Sequence, residues 1–382
     1  METILLASLF LLVYHYVLYP AGVIALSRVV KSRGVVGDVA TPGSWPKVTL
    51  LIAAFNEERV IAAKLQNCFE LDYPGEIEIM VVSDGSTDRT PEIARGLANR
   101  GVISMHEAAR RGKTAALNRG VAAASGEIVV FSDANNDFNP DSIRELVKHF
   151  QDSSVGGVCG VKRIRDAEHR EASAGDSMYW RYESAIKLAE GRLGCITNAD
   201  GEIFAMRRSL YKSVDEGVIN DDAEITFDIV RQGYRILYEP AATSTEYASI
   251  HIKDDFYVKV RMVAGGYQTM VRYASMLFPP RTWFTFAYFS HKVLRYLAPV
   301  LLVTAFLTSA GLSVQPLFLA LFLAQVSFYL VAGYGYTRIR YGSLSPVVYV
   351  PFYFSAMNLA ALVGFWRFIS GRQGTNWRKA ER

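Results

Sequence analysis

Cysteine is scarce in this sequence. The 382 residues hold three, Cys68, Cys159 and Cys195, without a Cys-x-x-Cys or Cys-x-x-His spacing, so neither a disulfide framework nor a zinc site is indicated. Charge is scarce as well: 20% of residues are charged against 51% hydrophobic, and the mean hydropathy is +0.13. That balance excludes a disordered chain. The net charge of +4 gives no nucleic-acid footprint, and no nucleic-acid partner is expected. No Gly-x-Gly-x-x-Gly follows the first β-rich run, and no Gly-x-x-x-x-Gly-Lys-Ser/Thr occurs anywhere. Dinucleotide oxidoreductases and P-loop ATPases are thereby disfavoured.

The missing charge is concentrated. The 25 residues between Glu2 and Arg28 carry none, enough to cross a hydrocarbon layer of about 30 Å as a helix. A cleaved signal peptide would have the reverse flanks; here an acid precedes the run and Arg28, Lys31 and Arg33 follow it. The expectation is a retained anchor with its C-terminal side cytoplasmic. His15 and Pro20 inside it read as a tolerated polar residue and a kink. Tyr296 to Thr337 contains 42 uncharged residues interrupted at Gly311-Leu-Ser-Val-Gln-Pro316, the pattern of a helical hairpin through a bilayer. Tyr341 to Trp366 is a third uncharged run, with Pro346 and Pro351 near its start. Ala274 to Phe286 mixes aromatics with Pro279, Pro280 and Arg281, the composition of a headgroup-level segment. A conflict follows. Three spans after a cytoplasmic middle put the tail outside, yet Arg367, Arg372, Arg378, Lys379 and Arg382 make that tail basic. Either the last run re-enters, or His291, Lys292 and Arg295 mark a more complicated approach to the membrane.

The soluble middle reads as one α/β unit. Val48–Ala54, Ile77–Ser83, Val102–Met105 and Glu127–Ser132 are expected strands, alternating with helices over Glu57–Phe69, Asp88–Ala98 and Lys113–Ala124. This order predicts a doubly wound, mostly parallel sheet that binds ligands beyond its strand C-termini. The polar residues there are Asn56-Glu57-Glu58, Asp84-Gly-Ser-Thr-Asp88 and Asp133-Ala-Asn135. Each alone is also ordinary turn and cap chemistry; together they are expected to converge. Acids beside a diphosphate call for a metal, and Mg2+ or Mn2+ prefers such oxygen ligands, with Asp133 and Asn135 as candidates. Lys113 opens a helix after Arg110-Arg111-Gly112, which favours phosphate but also suits a solvated basic turn. Further on come Thr197-Asn-Ala-Asp-Gly-Glu-Ile-Phe-Ala-Met-Arg207 and the helix start at Asn220-Asp221-Asp222. Acids at a helix N-terminus are electrostatically favourable in any case, yet three of them, Asp221, Asp222 and Glu224, exceed what a cap requires, and one is a candidate general base.

In this order the motifs resemble the membrane-bound inverting family 2 glycosyltransferases, which include cellulose, chitin, hyaluronan and poly-N-acetylglucosamine synthases. The resemblance runs from Val48 through Asn118, Asp133 and Asp222 to Asn376-Trp377-Arg378. It implies a GT-A nucleotide-sugar domain (29–272) between an anchor (1–28) and an interfacial helix with about three membrane segments and a basic tail (273–382), in the inner or plasma membrane with the catalytic part cytoplasmic. It implies a nucleotide-sugar donor, most often a UDP-sugar, and Mg2+ or Mn2+. By position, Ala53, Phe55 and Glu57 match the first nucleotide loop, Asp84 the acid at the base or ribose, Lys113 a residue near the diphosphate, and Asp133-Ala-Asn135 the Asp-x-Asp metal motif with Asn in place of the second acid. Asn220-Asp221-Asp222 matches Thr-Glu-Asp, making Asp222 the base and Asp221 its acceptor-side neighbour; Gly201 and Glu202 match the acceptor loop. Val258-Lys-Val-Arg-Met262 stands for Gln-x-x-Arg-Trp. It keeps Arg261 for the leaving diphosphate, though snorkelling at the membrane also explains this arginine, and it puts Met262 where polymerising relatives hold the acceptor sugar with Trp. The expectation is therefore transfer of one or a few sugars to a glycan or lipid acceptor. A processive synthase that also moves its polymer is the alternative, and a non-catalytic nucleotide-sugar scaffold a weaker one. A transporter is disfavoured because the apolar runs have few charges and no repeat. So few helices leave room for a homo-oligomer or partner subunit.

Overall fold

The computed structural model describes residues 1–30, 43–165, 173–247, 252–278, 282–339 and 344–374. Lys31 and Arg33, the Pro279-Pro280-Arg281 stretch and the tail with Asn376-Trp377-Arg378, Lys379 and Arg382 lie outside the described residues.

The first half alternates as its pattern predicts. β1 (Val48–Ala54), α2 (Ile61–Phe69), β2 (Ile77–Asp84), α3 (Thr90–Arg95), β3 (Val102–Glu107), α4 (Lys113–Ala123) and β4 (Ile128–Asp133) follow a helix α1 (Glu2–Val29). β5 (Asp137–Phe138), α5 (Ser142–Val147), β6 (Val155–Arg165), α6 (Ser173–Leu193), β7 (Ile203–Arg207), α7 (Asp221–Arg231) and β8 (Arg235–Tyr247) complete the domain. The eight strands form one sheet in the order β3-β2-β1-β4-β7-β6-β8-β5. β1, β2, β3 and β4 pair in parallel, as do β6 and β8, while β7 runs antiparallel between β4 and β6. Apolar residues cover both faces: Leu51, Val82 and Phe131 belong to one core and Leu50, Ile52, Val81 and Val130 to the other, as a helix-covered parallel sheet requires. In β8 the ladder to β6 shifts between Tyr238 and Thr243. Pro240 falls in that irregularity, where its missing N–H costs no ladder bond.

A long amphipathic helix, α8 (Ile252–Arg272), and a short one, α9 (Ala274–Leu277), lead to α10 (Trp283–Gly311), α11 (Pro316–Arg338) and α12 (Pro346–Ile369). Together with α1 these last three are the four described helices long and apolar enough to cross a membrane. The described part of the segment expected at headgroup level packs against the core of the α/β domain. Leu277 and Phe284 are buried in it, and Phe227 of α7, fully buried, packs its ring 4.6 Å from Tyr273, 5.1 Å from Phe284 and 4.9 Å from Tyr288. Apolar patterning shows that these residues seek a nonpolar neighbour, but a protein core and a lipid interface satisfy it equally.

α1 and α10 each contain a π-helical turn, Tyr14–Leu18 and Phe289–Val293, and the two turns meet. His15 Nδ1 lies 2.9 Å from the Ser290 carbonyl, and the Tyr14 and Ser290 hydroxyls are 2.9 Å apart. The polar residue inside this apolar helix thus meets a backbone carbonyl in the π turn of its neighbour. α12 ends against the catalytic domain. A Cβ on Gly364 would stand 2.7 Å from the Val260 carbonyl of α8, so glycine is what lets the helices approach there. Phe365 and Phe368 pack on Tyr267.

Phe227 is the joint between the helix that carries the candidate base and the helix that enters the membrane. Phe227→Ala is expected to lower unfolding free energy by about 3–5 kcal/mol, read as a fall in melting temperature in detergent; a loss under about 1 kcal/mol would mean that the joint is not where the domain is held.

Candidate active site

A cavity of about 700 Å³ opens at the C-terminal end of the sheet and runs toward α1, α10 and α12. It is lined by Lys113, Asp133, Gly201, Glu202, Asp221, Asp222, Arg261 and Met262 among the expected residues. Each arrives on its own element: Asp133 at the end of β4, Lys113 at the start of α4, Asp221 and Asp222 at the start of α7, and Arg261 and Met262 on α8.

α8 sets the position of the acids. Arg261 Nη1 donates to the Ile219 carbonyl (3.2 Å), Gln268 accepts from the Ile219 N–H (2.9 Å), and Asn220 Nδ2 donates to the Met262 carbonyl (2.9 Å). This bracket delivers Asp222 to the α7 N-terminus, where its Oδ1 accepts from the Ala223 N–H at 2.7 Å. Gly201 approaches from the opposite side. A Cβ there would lie 3.3 Å from Asp222 Cβ and 3.9 Å from both Asp221 Oδ2 and Lys113 Nζ, so a side chain would fill the space in which these groups meet.

The electrostatics are those of too many acids in one place. Burial first, then the charges of Asp221 and Asp200, push the Asp222 carboxyl up to about 6. Lys113 donates to Asp133 at 2.7 Å. Burial opposes its charge, but Asp133 and Asp221 outweigh that and hold the ammonium above its ordinary range. Burial lowers the Arg261 guanidinium against the pull of Asp221, Asp222 and Asp133.

The nucleotide-side residues are placed differently. Asp84 does not line the main cavity. It sits behind the loop that does, its Oδ2 accepting from the N–H groups of Arg111 (2.8 Å) and Gly112 (2.6 Å) and its Oδ1 from Arg119 (2.8 Å). Ala53, Phe55 and Glu57 stand at the C-terminal end of β1 and in the turn after it, outside the lining of the cavity, and the Arg110 guanidinium lies 3.6 Å over the Phe55 ring. The acidic turns there bond to each other: Asn56 Oδ1 accepts from the Thr87 N–H at 2.8 Å and Asp88 Oδ2 from the Glu58 N–H at 3.1 Å. Asp88 also accepts from the Thr90 N–H at 3.0 Å, the turn and cap chemistry open to it from the sequence. Of the three strand-end clusters, then, the one after β4 reaches the cavity.

Four supporting residues escaped the sequence reading. Lys64, buried on α2, donates to the Asn136 side chain at 2.8 Å, and Asn136 donates to the Glu202 carbonyl at 2.9 Å, which fixes the turn after Asp133. Lys187, buried on α6, donates to Asp200 at 2.7 Å behind the acid cluster. The Asn135-Asn136 doublet and a lysine on an otherwise apolar helix face were the available signals for the first pair. Lys187 had none, because its partner is distant in sequence.

Among the described residues no trio of His, Cys, Asp and Glu is arranged to hold a metal unaided. Mg2+ and Mn2+ do not need one, since they take one or two protein oxygens and complete the shell with phosphate and water. Asn135, two residues after Asp133, donates from Nδ2 to Glu246 at 3.3 Å, and an amide oxygen and a carboxylate are the kinds of ligand such a cation takes. With surplus carboxylate charge in the same cavity, these residues fit a divalent cation.

Residues 49–215 match the family model described as Glycosyl transferase family 2. That region is a little under half of the chain. A beta-monoglucosyldiacylglycerol synthase of Nostoc sp. (strain PCC 7120 / SAG 25.82 / UTEX 2576) is 31% identical over 253 residues, 63% of this chain and 53% of that protein. A poly-beta-1,6-N-acetyl-D-glucosamine synthase of Staphylococcus aureus (strain COL) is 28% identical over 230 residues, 59% of this chain and 56% of that protein. The chain thus spans about half the length of these curated relatives. The solved structure of mannosyltransferase PcManGT from Pyrobaculum calidifontis, in complex with GDP-Man and Mn2+, superposes with a TM-score of 0.74 at 23% identity, covering 97% of this chain and 99% of that one. The fold is therefore of the expected GT-A kind, here a mixed sheet with flanking helices.

The raised Asp222 carboxyl has a stability consequence with a definite sign. Its stabilising contribution is complete below the unfolded value near 4 and is lost as pH rises through about 6. Asn mimics the protonated form, so Asp222→Asn is expected to melt at a higher temperature than the native chain at pH 8, the gap closing at about pH 4. A gap of opposite sign at pH 8 would show that the ionised carboxylate is a structural asset.

Proposed function

We propose that this glycosyltransferase moves a sugar, with inversion, from a nucleotide-sugar donor of the UDP-sugar class to a hydroxyl of a glycan or lipid acceptor at the cytoplasmic membrane face, in cell-envelope or extracellular glycolipid or polysaccharide synthesis. One observation carries the reading: the cavity that holds Asp222, Lys113, Asp133 and Arg261 continues along an apolar wall built by Val350, Tyr353, Phe354, Met357 and Ala361 of α12. A soluble acceptor needs no such wall. An acceptor with a lipid part does, and a neighbour named for glucosyldiacylglycerol synthesis agrees with it.

In this scheme the donor diphosphate lies by the α4 N-terminus, whose N–H groups and Lys113 favour anionic oxygen. Asp222, at the junction of the polar and apolar parts of the cavity, accepts the proton of the acceptor hydroxyl as its oxygen attacks the anomeric carbon. Lys113 and Arg261 meet the charge that builds on the departing nucleoside diphosphate. A bound Mg2+ or Mn2+ at Asp133 and Asn135 supplies further charge neutralisation at the diphosphate. Because a single displacement has one inversion, the product anomer is opposite to the donor's. Met262 offers an acceptor no aromatic face, in keeping with transfer of one or a few sugars.

The contacts of α12 bear on topology. Its last turns lie against α8, and Arg367 is 5.8 Å from the Tyr257 ring. This supports a tail on the catalytic side, as its basic composition demands.

Two outcomes are expected of purified full-length protein given UDP- and GDP-sugars with Mg2+ or Mn2+. Asp222→Asn should lower transfer by about 10²–10⁴-fold while donor nucleotide still binds; loss of both together would assign Asp222 a folding role. In the native chain kcat/KM should rise as pH passes about 6, the value at which the base ionises, and level off above it. A profile flat from pH 5 to pH 8 would remove Asp222 from that role.

A further inference from the structure

The segment between α6 and β7, residues 194–202, carries neither helix nor strand, yet its Asn198, Asp200, Gly201 and Glu202 line the catalytic cavity. Backbone donors buried outside regular structure need partners from elsewhere. The Ile196 N–H finds the Ile236 carbonyl of β8 at 3.0 Å. Three later donors go to side chains on three other elements. The Thr197 N–H reaches Glu190 Oε2 of α6 at 3.3 Å, the Ala199 N–H the Thr226 hydroxyl of α7 at 3.2 Å, and the Asp200 N–H Cys159 Sγ of β6 at 3.2 Å.

Glu190 is the partner whose cost needs explaining. It is fully buried, and a buried carboxylate is destabilising unless its oxygens are hydrogen-bonded. Its Oε2 accepts from the Thr197 hydroxyl at 3.0 Å as well as from the Thr197 N–H. Its Oε1 accepts from the Tyr19 hydroxyl of α1 at 2.8 Å and lies 2.9 Å from His291 Nδ1 of α10. One oxygen thus holds the loop, and the other holds two helices long and apolar enough to cross a membrane. Hydrogen bonds to a carboxylate are strong and directional, so they fix a position that apolar packing leaves loose. The path continues to the candidate base, because the Thr226 hydroxyl that accepts from Ala199 donates to the Asp222 carbonyl at 2.8 Å. One turn before Glu190 on α6, Lys187 donates to Asp200 at 2.7 Å, so the same helix pins the loop at a second point.

We propose that Glu190 is a positioning residue for glycosyl transfer: through Thr197 it makes the place of the 198–202 loop, and with it the setting of Asp222, depend on α1 and α10. The inference rests on the functional reading above and deepens it, since the reaction then answers to the packing of two apolar helices as well as to the cavity itself. Tyr19, Glu190, Thr197 and Thr226 stand outside the cavity lining, so they act through the residues they hold.

The test uses the full chain in maltoside micelles. Nucleotide release from UDP- and GDP-sugars is read with dodecyl glucoside present and with water as the acceptor. Tyr19→Phe removes the α1 limb of the clasp and Thr197→Val the loop limb. Each should lower kcat by about tenfold with the donor KM unchanged, and Thr197→Ser, which keeps the hydroxyl, should retain most of the native rate. Because both limbs act through one carboxylate, the double variant Tyr19→Phe/Thr197→Val should be little slower than either single one. Three results overturn the proposal: a native kcat in Tyr19→Phe, losses that multiply in the double variant, or a donor KM that rises as kcat falls. A merely structural clasp gives the first of these, with a lower melting temperature and the rate of the folded chain intact. Amide hydrogen exchange adds a reading that needs no turnover. In both single variants the Thr197 and Ala199 amides should exchange faster than in the native chain, and unchanged exchange in Tyr19→Phe also overturns the proposal. Its failure is therefore distinct from failure of the glycosyltransferase reading, which Asp222→Asn tests.

Discussion

Carboxylate crowding at the N-terminus of α7 is the constraint from which the rest of this structure follows. Asp200, Asp221 and Asp222 share a partly buried space with two cations, Lys113 and Arg261, and Lys113 is already paired to Asp133. Such an arrangement is disfavoured in isolation, and the molecule counters it from every side. The helix N-terminus offers its N–H groups, Lys187 neutralises Asp200 from behind, and the α8 bracket through Arg261, Asn220 and Gln268 fixes the geometry. The residual deficit of positive charge is what a divalent cation would offset. The same crowding keeps the Asp222 carboxyl protonated up to about pH 6.

The cavity joins two solvents. Its polar end is a sheet-terminus crevice of the kind doubly wound folds provide, and its other end is walled by helices that face lipid elsewhere. Phe227, Tyr273, Phe284 and Tyr288 bind the two parts into one core. A shift of α10 or α12 would therefore be felt at α7, because Phe227 lies one turn from Asp222 on the same helix. In the proposed scheme an acceptor along α12 and a donor at α4 would meet at a position set by protein packing, so neither would have to search for the other.

The strands of the first half were legible because a buried parallel strand is a short apolar run between turn residues, and each of the four begins and ends within two residues of its expected bounds. Lys113, Asp133 and Asp222 stand out in the sequence because they fall at a strand end and at helix starts, whereas Arg261, in the middle of α8, stands out only by its resemblance to a family motif. The sequence was silent where a residue's role depends on a distant partner. Glu183 and Glu190 read as ordinary helix-surface acids until α10 is laid against them, and Lys187 reads as solvated until Asp200 is placed. Asp84 shows what register alone does not convey: a strand-end acid whose carboxylate accepts from the Arg111 and Gly112 N–H groups and from Arg119, behind the loop that lines the cavity. Pattern also failed to show that α12 turns back onto α8, since hydropathy records that a helix is apolar and not where it ends.

The most direct test of the central claim is isotope-edited infrared titration of the carboxylates in the full-length protein, comparing the native chain with Asp222→Asn. One carboxyl band that ionises at about pH 6 and is missing from the variant is the result this account predicts. If every carboxylate in the native chain ionises below about pH 4.5, the acids are not crowded, and the account of the site built on them is wrong.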